Sequence, residues 1–169
     1  MTDSLRIEKL HRSHAVEGFS CGYPELDRFL VRYALQAQQS HASQTYVALS
    51  GANVVGFYTM VAGEVQHAEA PERVVKGMPR HPIPLLVLAR LAVDTTAQRR
   101  GIGAGLLLDA LGRTLQVADV IGVRALAVHA KDDSAAAFYR HFGFTPSPTD
   151  PRHLFMMIKD MRLIANQKT

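Results

Sequence analysis

Two neighbouring segments set the architecture of this chain: LLVLARLAV at residues 85–93 and QRRGIGAG at residues 98–105. The first is almost wholly apolar, as expected of a strand that is covered on both faces. The second is rich in glycine and is followed by apolar residues at helical spacing. A buried strand, a glycine-rich turn and an amphipathic helix in this order form a nucleotide-binding arrangement.

Further segments extend outward from this centre on both sides. Their periodicity predicts strands at residues 6–10, 45–49, 54–62, 122–128 and 154–159 and helices over residues 26–37, 71–77 and 133–141. Turn-forming residues between 49 and 54 indicate a hairpin. The stretch from 63 to 84 is otherwise irregular, and its length suggests a functional loop. The order predicts an α/β fold.

Length and composition exclude several classes of protein. The chain has 169 residues, of which 47% are hydrophobic and 20% charged, so we expect one globular domain over residues 1–169. No apolar run approaches the roughly 18 residues of a membrane span, and no secretory signal is evident. The single cysteine, Cys21, allows neither an intrachain disulfide nor a paired metal site. We therefore expect a soluble, cytoplasmic protein without a metal.

The charge balance permits a polyanionic partner without requiring one. The formal net charge is +4, which many ordinary enzymes share. Tryptophan is absent and the five tyrosines are dispersed, so the sequence predicts no dense aromatic platform for single-stranded nucleic acid. If RNA binds, positive charge would supply most of the affinity.

The glycine-rich turn is a candidate anion site. Gly101 and Gly103 have no side chains, so the first backbone N–H groups of the helix are accessible there. Arg99 and Arg100 add positive charge. Close packing of the helix is an equally good explanation for the glycines. The turn lacks both the Lys-Ser/Thr ending of a Walker motif and the glycine spacing of a dinucleotide fingerprint.

Two motifs carry a family resemblance. Residues 98–103 resemble motif A of the Gcn5-related N-acetyltransferases (GNAT), and residues 132–144 resemble that family's closing motif, with Asp132 in place of the usual Asn. The resemblance implies a GNAT fold, in which helices flank a mixed central β-sheet, and acetyl-coenzyme A (acetyl-CoA) as acetyl donor. The implied coenzyme contacts are Leu91, Ala92, Val93, Gln98, Arg99, Arg100, Gly101, Ile102, Gly103, Ala104, Asp132, Ala135 and Phe138.

A closer resemblance covers most of the chain. Residues 19–22, 26–30, 67–71, 82–94 and 146–148 are similar to the acetyltransferase toxins of bacterial toxin–antitoxin pairs. That subfamily implies acetylation of the α-amino group of aminoacyl-tRNA, which blocks translation. It also implies a small ribbon-helix-helix (DUF1778-like) antitoxin and a homodimer.

Tyr139 is the candidate general acid. A phenol with an ordinary pKa near 10 stays protonated at neutral pH and can donate its proton to a departing thiolate. The resemblance places the equivalent tyrosine beside the coenzyme sulfur, whereas the alternative is a tyrosine that only packs its helix. No general base is assigned: Glu64 is the nearest carboxylate, and His67 and His129 are weaker candidates.

Basic residues are candidates for the tRNA surface. Arg90 interrupts an apolar strand, so its guanidinium must reach water, an anionic substrate or a neighbouring carboxylate. The other candidates, each of which could equally be a solvated surface residue, are Arg28, Arg32, Arg73, Lys76 and Arg80.

Two other functions use the same features. An acetyltransferase of small-molecule or protein amines needs the same donor site but no surface for a polyanion. A non-catalytic module that senses acetyl-CoA or binds RNA is the other alternative, and the presence of both the glycine turn and Tyr139 argues against it.

Overall fold

A computed structural model describes residues 5–167 of the chain. Its strands are β1 (Arg6–Lys9), β2 (Gln44–Ser50), β3 (Asn53–Val65), β4 (Ile83–Val93), β5 (Ala125–His129), β6 (Thr145–Pro146) and β7 (His153–Met157). Its α-helices are α1 (Pro24–Arg28), α2 (Ala34–Gln39), α3 (Glu72–Val75), α4 (Ile102–Ala118), α5 (Asp133–His141) and α6 (Ile158–Gln167). A π-helical turn, Phe29–Tyr33, joins α1 to α2, and short 3₁₀ turns lie at His67–Glu69 and Thr95–Ala97.

The strands have the order β1-β2-β3-β4-β5-β7-β6. The β4–β5 pair is parallel, whereas the pairs β1–β2, β2–β3, β5–β7 and β6–β7 are antiparallel. This mixed sheet with helices confirms the predicted α/β class. Among the described residues, no helix combines the length and apolarity that a bilayer crossing requires.

The chain forms two compact units, of which the first lies within Met1–Val61 and Ala89–Ala110. Here β1, β2 and the first part of β3 pair in register, with a bulge between Ala48 and Leu49. The ring of Phe19 meets that of Phe57 edge to face, with centroids 5.5 Å apart. The buried core of this unit consists of Leu10, Phe19, Cys21, Leu30, Ala34, Val47, Leu49, Val54, Phe57 and Ala92.

The second unit lies within Ala62–Leu88 and Leu111–Thr169. The first part of β4 runs parallel to β5, so that Leu85 pairs with Ala125, and β5 pairs in turn with β7. The buried core of this unit consists of Val65, Ala70, Val74, Ile83, Leu85, Ala125, Ala127, Phe155 and Met157. The expectation of one domain over residues 1–169 remains a prediction.

Several predicted boundaries were wrong. Strand β3 continues to Val65, three residues past the predicted end, and Gly63 lies against β4 so closely that a Cβ there would be 2.7 Å from the Val87 side chain. Strand β5 begins at Ala125 rather than at residue 122. The last strand ends at Met157, because Ile158 starts helix α6, which buries Met161 and was not predicted.

Two further elements were not expected. The short strand β6, which pairs Thr145 with Phe155, was not predicted. The helix predicted over residues 26–37 is interrupted by the π-helical turn. Two residues are buried here: Leu30 within the turn and Ala34 directly after it. Both features depend on tertiary packing, since neither leaves a periodic signal in so few residues.

Gly56 provides a test of the packing between β3 and α4. A Cβ at this position would lie 2.9 Å from the Leu106 side chain and 3.1 Å from the Ala92 carbonyl oxygen. We expect Gly56→Ala to lower the free energy of unfolding by about 1–3 kcal/mol, because the Ala92 backbone cannot easily move away. Urea titration followed by circular dichroism measures this change.

Gly112→Ala is the matched control. Gly112 lies in helix α4, and a Cβ there would meet nothing within 4 Å. Alanine is favoured over glycine in a helix by about 1 kcal/mol, so this variant should be as stable as the native protein or more so. Equal stability of the Gly56→Ala variant and the native protein would contradict the close packing.

Candidate active site

The turn that follows β4 is held by the Asp94 carboxylate. Its oxygens accept hydrogen bonds from the backbone N–H of Ser20 at 3.0 Å, the backbone N–H of Thr96 at 2.9 Å and the Thr96 hydroxyl at 2.8 Å. The side chain is buried, which raises its pKa, but these hydrogen bonds outweigh burial and leave the pKa below its usual value. An ionised carboxylate therefore joins the turn to the loop before α1.

Gln98 continues this support. Its carboxamide nitrogen donates to the carbonyl oxygen of Val93 at 3.1 Å and to that of Cys21 at 3.3 Å. The side chain of this predicted coenzyme residue therefore stabilises the turn itself. Its neighbours Arg99 and Gly101 have φ values of +66° and +79°, a region that glycine adopts readily and arginine rarely.

The first main-chain N–H groups of helix α4 form no hydrogen bond within the helix. The first bond within the helix runs from the Gly105 N–H to the Gly101 carbonyl at 3.0 Å, so the N–H groups of Ile102, Gly103 and Ala104 precede it. A Cβ at Gly101 would meet nothing within 4 Å, so close packing does not explain this glycine. Its positive φ does.

This helix start is suited to an anion. Three amides and the positive end of the helix dipole attract negative charge, and the exposed side chains of Arg99 and Arg100 flank them in sequence. The predicted contacts at the end of β4 belong to the same unit: Ala92 is buried, and Leu91 and Val93 are half-buried. These residues fit the diphosphate of a coenzyme.

Helix α5, in the second unit, carries Tyr139. Asp132 caps the start of this helix, because its carboxylate accepts a hydrogen bond from the Ala135 N–H at 2.7 Å. Ala135 was predicted to contact the coenzyme, and its N–H here serves the cap. The half-buried Phe138 packs edge to face against Tyr139, with ring centroids 5.2 Å apart.

The Tyr139 phenol is buried but keeps a free hydroxyl. The residue is 6% exposed, and its hydroxyl has no hydrogen-bond partner among the described residues. Burial raises the pKa of the phenol well above its usual value, so the group stays protonated at neutral pH. The ring also packs against Phe144 at 5.5 Å, so the packing role and a proton-donating role coexist.

A glycine turn fixes the end of α5. The N–H groups of Phe142 and Phe144 both donate to the Tyr139 carbonyl at 3.1 Å, and Gly143 has a φ of +102°. The backbone of Tyr139 is therefore held at the point where the helix stops.

Arg90 has a contact that the sequence did not suggest. Its guanidinium carbon lies 3.6 Å from the ring centroid of Phe29, a cation–π contact, and burial lowers its pKa. Neither the anticipated phosphate contact nor a salt bridge is needed to explain how this half-buried arginine is stabilised.

The remaining basic candidates lie on both units. In the first, Arg28 and Arg32 are exposed on α1 and on the π-helical turn. In the second, Arg73, Lys76 and Arg80 are exposed, and Arg73 forms an ion pair with Asp160 at 3.1 Å. Whether these cations contact RNA stays a prediction.

The candidate bases are not brought into an evident catalytic arrangement. Glu64 was expected in a loop but is an exposed residue of β3. His67 begins a 3₁₀ turn, and the His129 Nε2 lies 3.1 Å from an oxygen of Asp150. Among residues 5–167, no three histidine, cysteine, aspartate or glutamate side chains cluster in a way that could hold a metal ion.

Sequence reasoning missed two supporting residues. Asp94 followed by Thr96 is a turn pattern that could have been recognised. Arg124 left no signal: its guanidinium donates to the carbonyls of Val74 at 2.9 Å, Lys76 at 3.1 Å and Arg73 at 3.3 Å. It thereby holds the end of α3, which occupies only part of the helix predicted over residues 71–77.

Comparison with known proteins decides the family. The acetyltransferase (GNAT) domain family matches residues 41–146, more than half of the chain. This chain belongs to the GNAT family. A tRNA-acetylating toxin of Mycobacterium tuberculosis (strain ATCC 25618 / H37Rv) is 49% identical over 149 residues, which cover 88% of this chain and 89% of that protein.

Solved structures of GNAT toxins are similar over nearly the whole chain. The toxin AtaT in complex with acetyl-methionyl-tRNAfMet is 27% identical, with a TM-score of 0.88 over 96% of this chain and 99% of that one. A mutant of AtaT bound to acetyl-CoA and to the C-terminus of its antitoxin AtaR is 25% identical, with a TM-score of 0.82 over 97% and 99%. The predicted family, fold class and acetyltransferase activity are confirmed.

Asp94→Asn tests the support of the donor site. The substitution removes the charge and one acceptor, so at pH 7 we expect a loss of about 1–3 kcal/mol in the free energy of unfolding. Because the folded-state pKa is lowered, the native carboxylate stabilises above the unfolded-state pKa, near 4, and loses this effect as the pH falls through the folded value. The stability difference between variant and native protein should therefore shrink below about pH 4.

Urea titrations between pH 7 and pH 3 measure this difference. Asp119→Asn is the control, since Asp119 is an exposed carboxylate paired with Arg162. The control variant should stay close to the native stability at every pH. A difference for Asp94→Asn that is constant across this range would show that the ionised carboxylate is not what holds the turn.

Proposed function

We propose that this protein is a toxin of a toxin–antitoxin pair that transfers acetyl from acetyl-CoA to the α-amino group of aminoacyl-tRNA. Acetylation removes the nucleophilic amine that peptide-bond formation requires, so the product blocks translation. The reaction takes place in the cytoplasm, where charged tRNA is consumed. A cognate antitoxin restrains the enzyme.

The 49% identity with a tRNA-acetylating toxin, over 88% of this chain, carries this proposal. At this similarity both the fold and the position of the signature segments are shared along the aligned length. The fold likeness to AtaT in complex with acetyl-methionyl-tRNAfMet supports the same class of acceptor.

Acetyl-CoA supplies an acyl thioester, whose carbonyl carbon is open to attack by a neutral amine. We assign the recognition of its diphosphate to the bare amides of Ile102, Gly103 and Ala104, with Arg99 and Arg100 adding charge. Asp94 and Gln98 keep these amides in place through the turn. The main chain of residues 91–93 is available to the pantetheine arm.

We assign the proton transfer to Tyr139. The new amide bond forms as the carbon–sulfur bond breaks, and the departing thiolate takes the phenolic proton. The proton that the attacking amine loses passes through water to the phenolate, which restores Tyr139. A hydroxyl that has no partner among the described residues suits this role. Burial raises the pKa of the phenol, which keeps the proton in place at neutral pH but also makes the phenol a weaker acid. The amine of an aminoacyl ester is less basic than lysine, so the attack needs no strong base.

The partner proposal has two parts. The complex of an AtaT mutant with the C-terminus of AtaR supports an antitoxin as partner, and we propose that it is of the ribbon-helix-helix (DUF1778-like) type. We also propose that the enzyme is a homodimer, as the family resemblance implies.

Tyr139→Phe tests the assigned acid. We expect the affinity for acetyl-CoA to stay unchanged, while the transfer rate falls by about tenfold or more, as loss of a general acid typically causes. Isothermal titration calorimetry measures the affinity, and transfer of labelled acetyl to charged tRNA measures the rate. Thermal stability should hardly change, because the hydroxyl has no hydrogen bond to lose among the described residues.

Tyr33→Phe is the matched control, since Tyr33 is 52% exposed and lies in the π-helical turn. It should retain both donor affinity and rate. Full activity of Tyr139→Phe would rule out the acid role and leave the donor site intact.

The acceptor is tested with three amine substrates and one control without an α-amine in parallel. Labelled acetyl-CoA is supplied with total charged tRNA, with the same tRNA after deacylation, and with free amino acids and a lysine-containing peptide. We expect label on charged tRNA alone, which mild base then releases as the N-acetylated amino acid. Label on the peptide or on free amines would instead support an acetyltransferase of small or protein amines.

A further inference from the structure

Two histidine rings stack at the end of strand β5, in the second unit. The antiparallel register of β5 and β7 pairs His129 with His153, and their ring centroids lie 4.3 Å apart at an interplanar angle of 14°. This is a parallel stack of two imidazoles from segments that are distant in sequence. The tryptophan and tyrosine content of the sequence gives no indication of this stack.

The stack rests on the core of the unit. The ring of His153 contacts that of Phe155 at 4.5 Å, and Phe155 is only 1% exposed. Burial, and to a smaller extent the neighbouring His129, lowers the pKa of the half-buried His153. A neutral inner ring avoids repulsion between two imidazolium groups, so the stack persists at neutral pH.

The ring of His129 is held in place, but most of it is accessible to solvent. The His129 Nε2 lies 3.1 Å from an oxygen of Asp150, which restrains the rotation of the ring. One face of the ring is covered by His153, and 65% of the side chain remains accessible to solvent. A flat, oriented π surface is therefore presented to solvent at the end of β5.

We propose that the exposed ring of His129, backed by His153 and Phe155, is a stacking platform for the unpaired 3′-terminal adenine of the charged tRNA. This inference rests on the proposed function and specifies how its acceptor is held. Proteins bind unpaired RNA bases by stacking them on aromatic side chains, histidine among them.

Exposed cations lie next to the platform in sequence and can meet the phosphate of a nucleotide. They are Lys131 and Arg152, of which Arg152 also pairs with Asp133 at 3.1 Å, and the Ala130 N–H donates to the Arg152 carbonyl at 2.8 Å. Strand β5 leads within three residues to Asp132, the cap of the helix that carries Tyr139. The terminal nucleotide carries the reacting amine, so we assign its base to this platform on the strand that leads to the helix of Tyr139.

Binding is tested without catalysis. Uncharged tRNA that carries the fluorescent adenine analogue 2-aminopurine at its 3′ end is titrated with native protein, His129→Phe and His129→Leu. Stacking quenches this fluorophore, so we expect quenching by the native protein and by His129→Phe, whose ring can still stack. His129→Leu should bind with about five- to tenfold lower affinity and quench little.

Kinetics on charged tRNA provide the second measurement. His129→Leu should raise KM for charged tRNA by about five- to tenfold, while kcat and KM for acetyl-CoA stay within about twofold of native values. His129→Phe should behave like the native enzyme. The control His41→Asn, which removes another exposed imidazole outside the loop at residues 63–84, should change none of these constants.

The outcomes separate this inference from the proposed function. Absence of acetylation of charged tRNA by the native enzyme defeats the proposed function, and the fluorescence titration still decides the platform. Native-like behaviour of His129→Leu, with no quenching by any protein, overturns the platform alone. Equal losses in the phenylalanine and leucine variants also overturn it, because they would mean that a hydrogen bond or a charge of the imidazole matters rather than stacking.

Discussion

The arrangement of the donor site depends on one buried carboxylate. Asp94 accepts hydrogen bonds from Ser20 and from both donors of Thr96, and so binds the end of β4 to a loop more than seventy residues earlier in the chain. These donors satisfy the buried Asp94 carboxylate, which would be costly to leave without hydrogen-bond partners. The start of α4, and with it the direction of its free amides, follows from this turn.

The second constraint concerns the acid. A phenol that must donate a proton at neutral pH should be shielded from ionisation but not engaged by another acceptor. Packing of Tyr139 between Phe138 and Phe144 achieves the first condition, and a hydroxyl without a partner among residues 5–167 meets the second. The ring of Tyr139 can therefore pack its helix while its hydroxyl stays available for the proposed proton transfer.

Much of the chain was predictable because its signals are local. The apolar run before residue 93, the glycine at 101 and the helix cap at 132 all act on their immediate neighbours in sequence. The predicted strands therefore lie close to the observed ones over most of their length. Errors concentrate at β3, β6 and α6, whose ends depend on what packs against them, as the close approach of Gly63 to Val87 illustrates.

The amino-acid sequence by itself determined the α/β class, the family, the glycine turn and the choice of Tyr139 as the candidate acid, because each depends on residue type at short spacing. Only the tertiary structure decided which partners those residues have. It placed the guanidinium of Arg90 over the ring of Phe29, and it paired His129 with His153 across two strands. Such contacts join segments far apart in the chain, and they are set by strand register and packing, which no local pattern encodes.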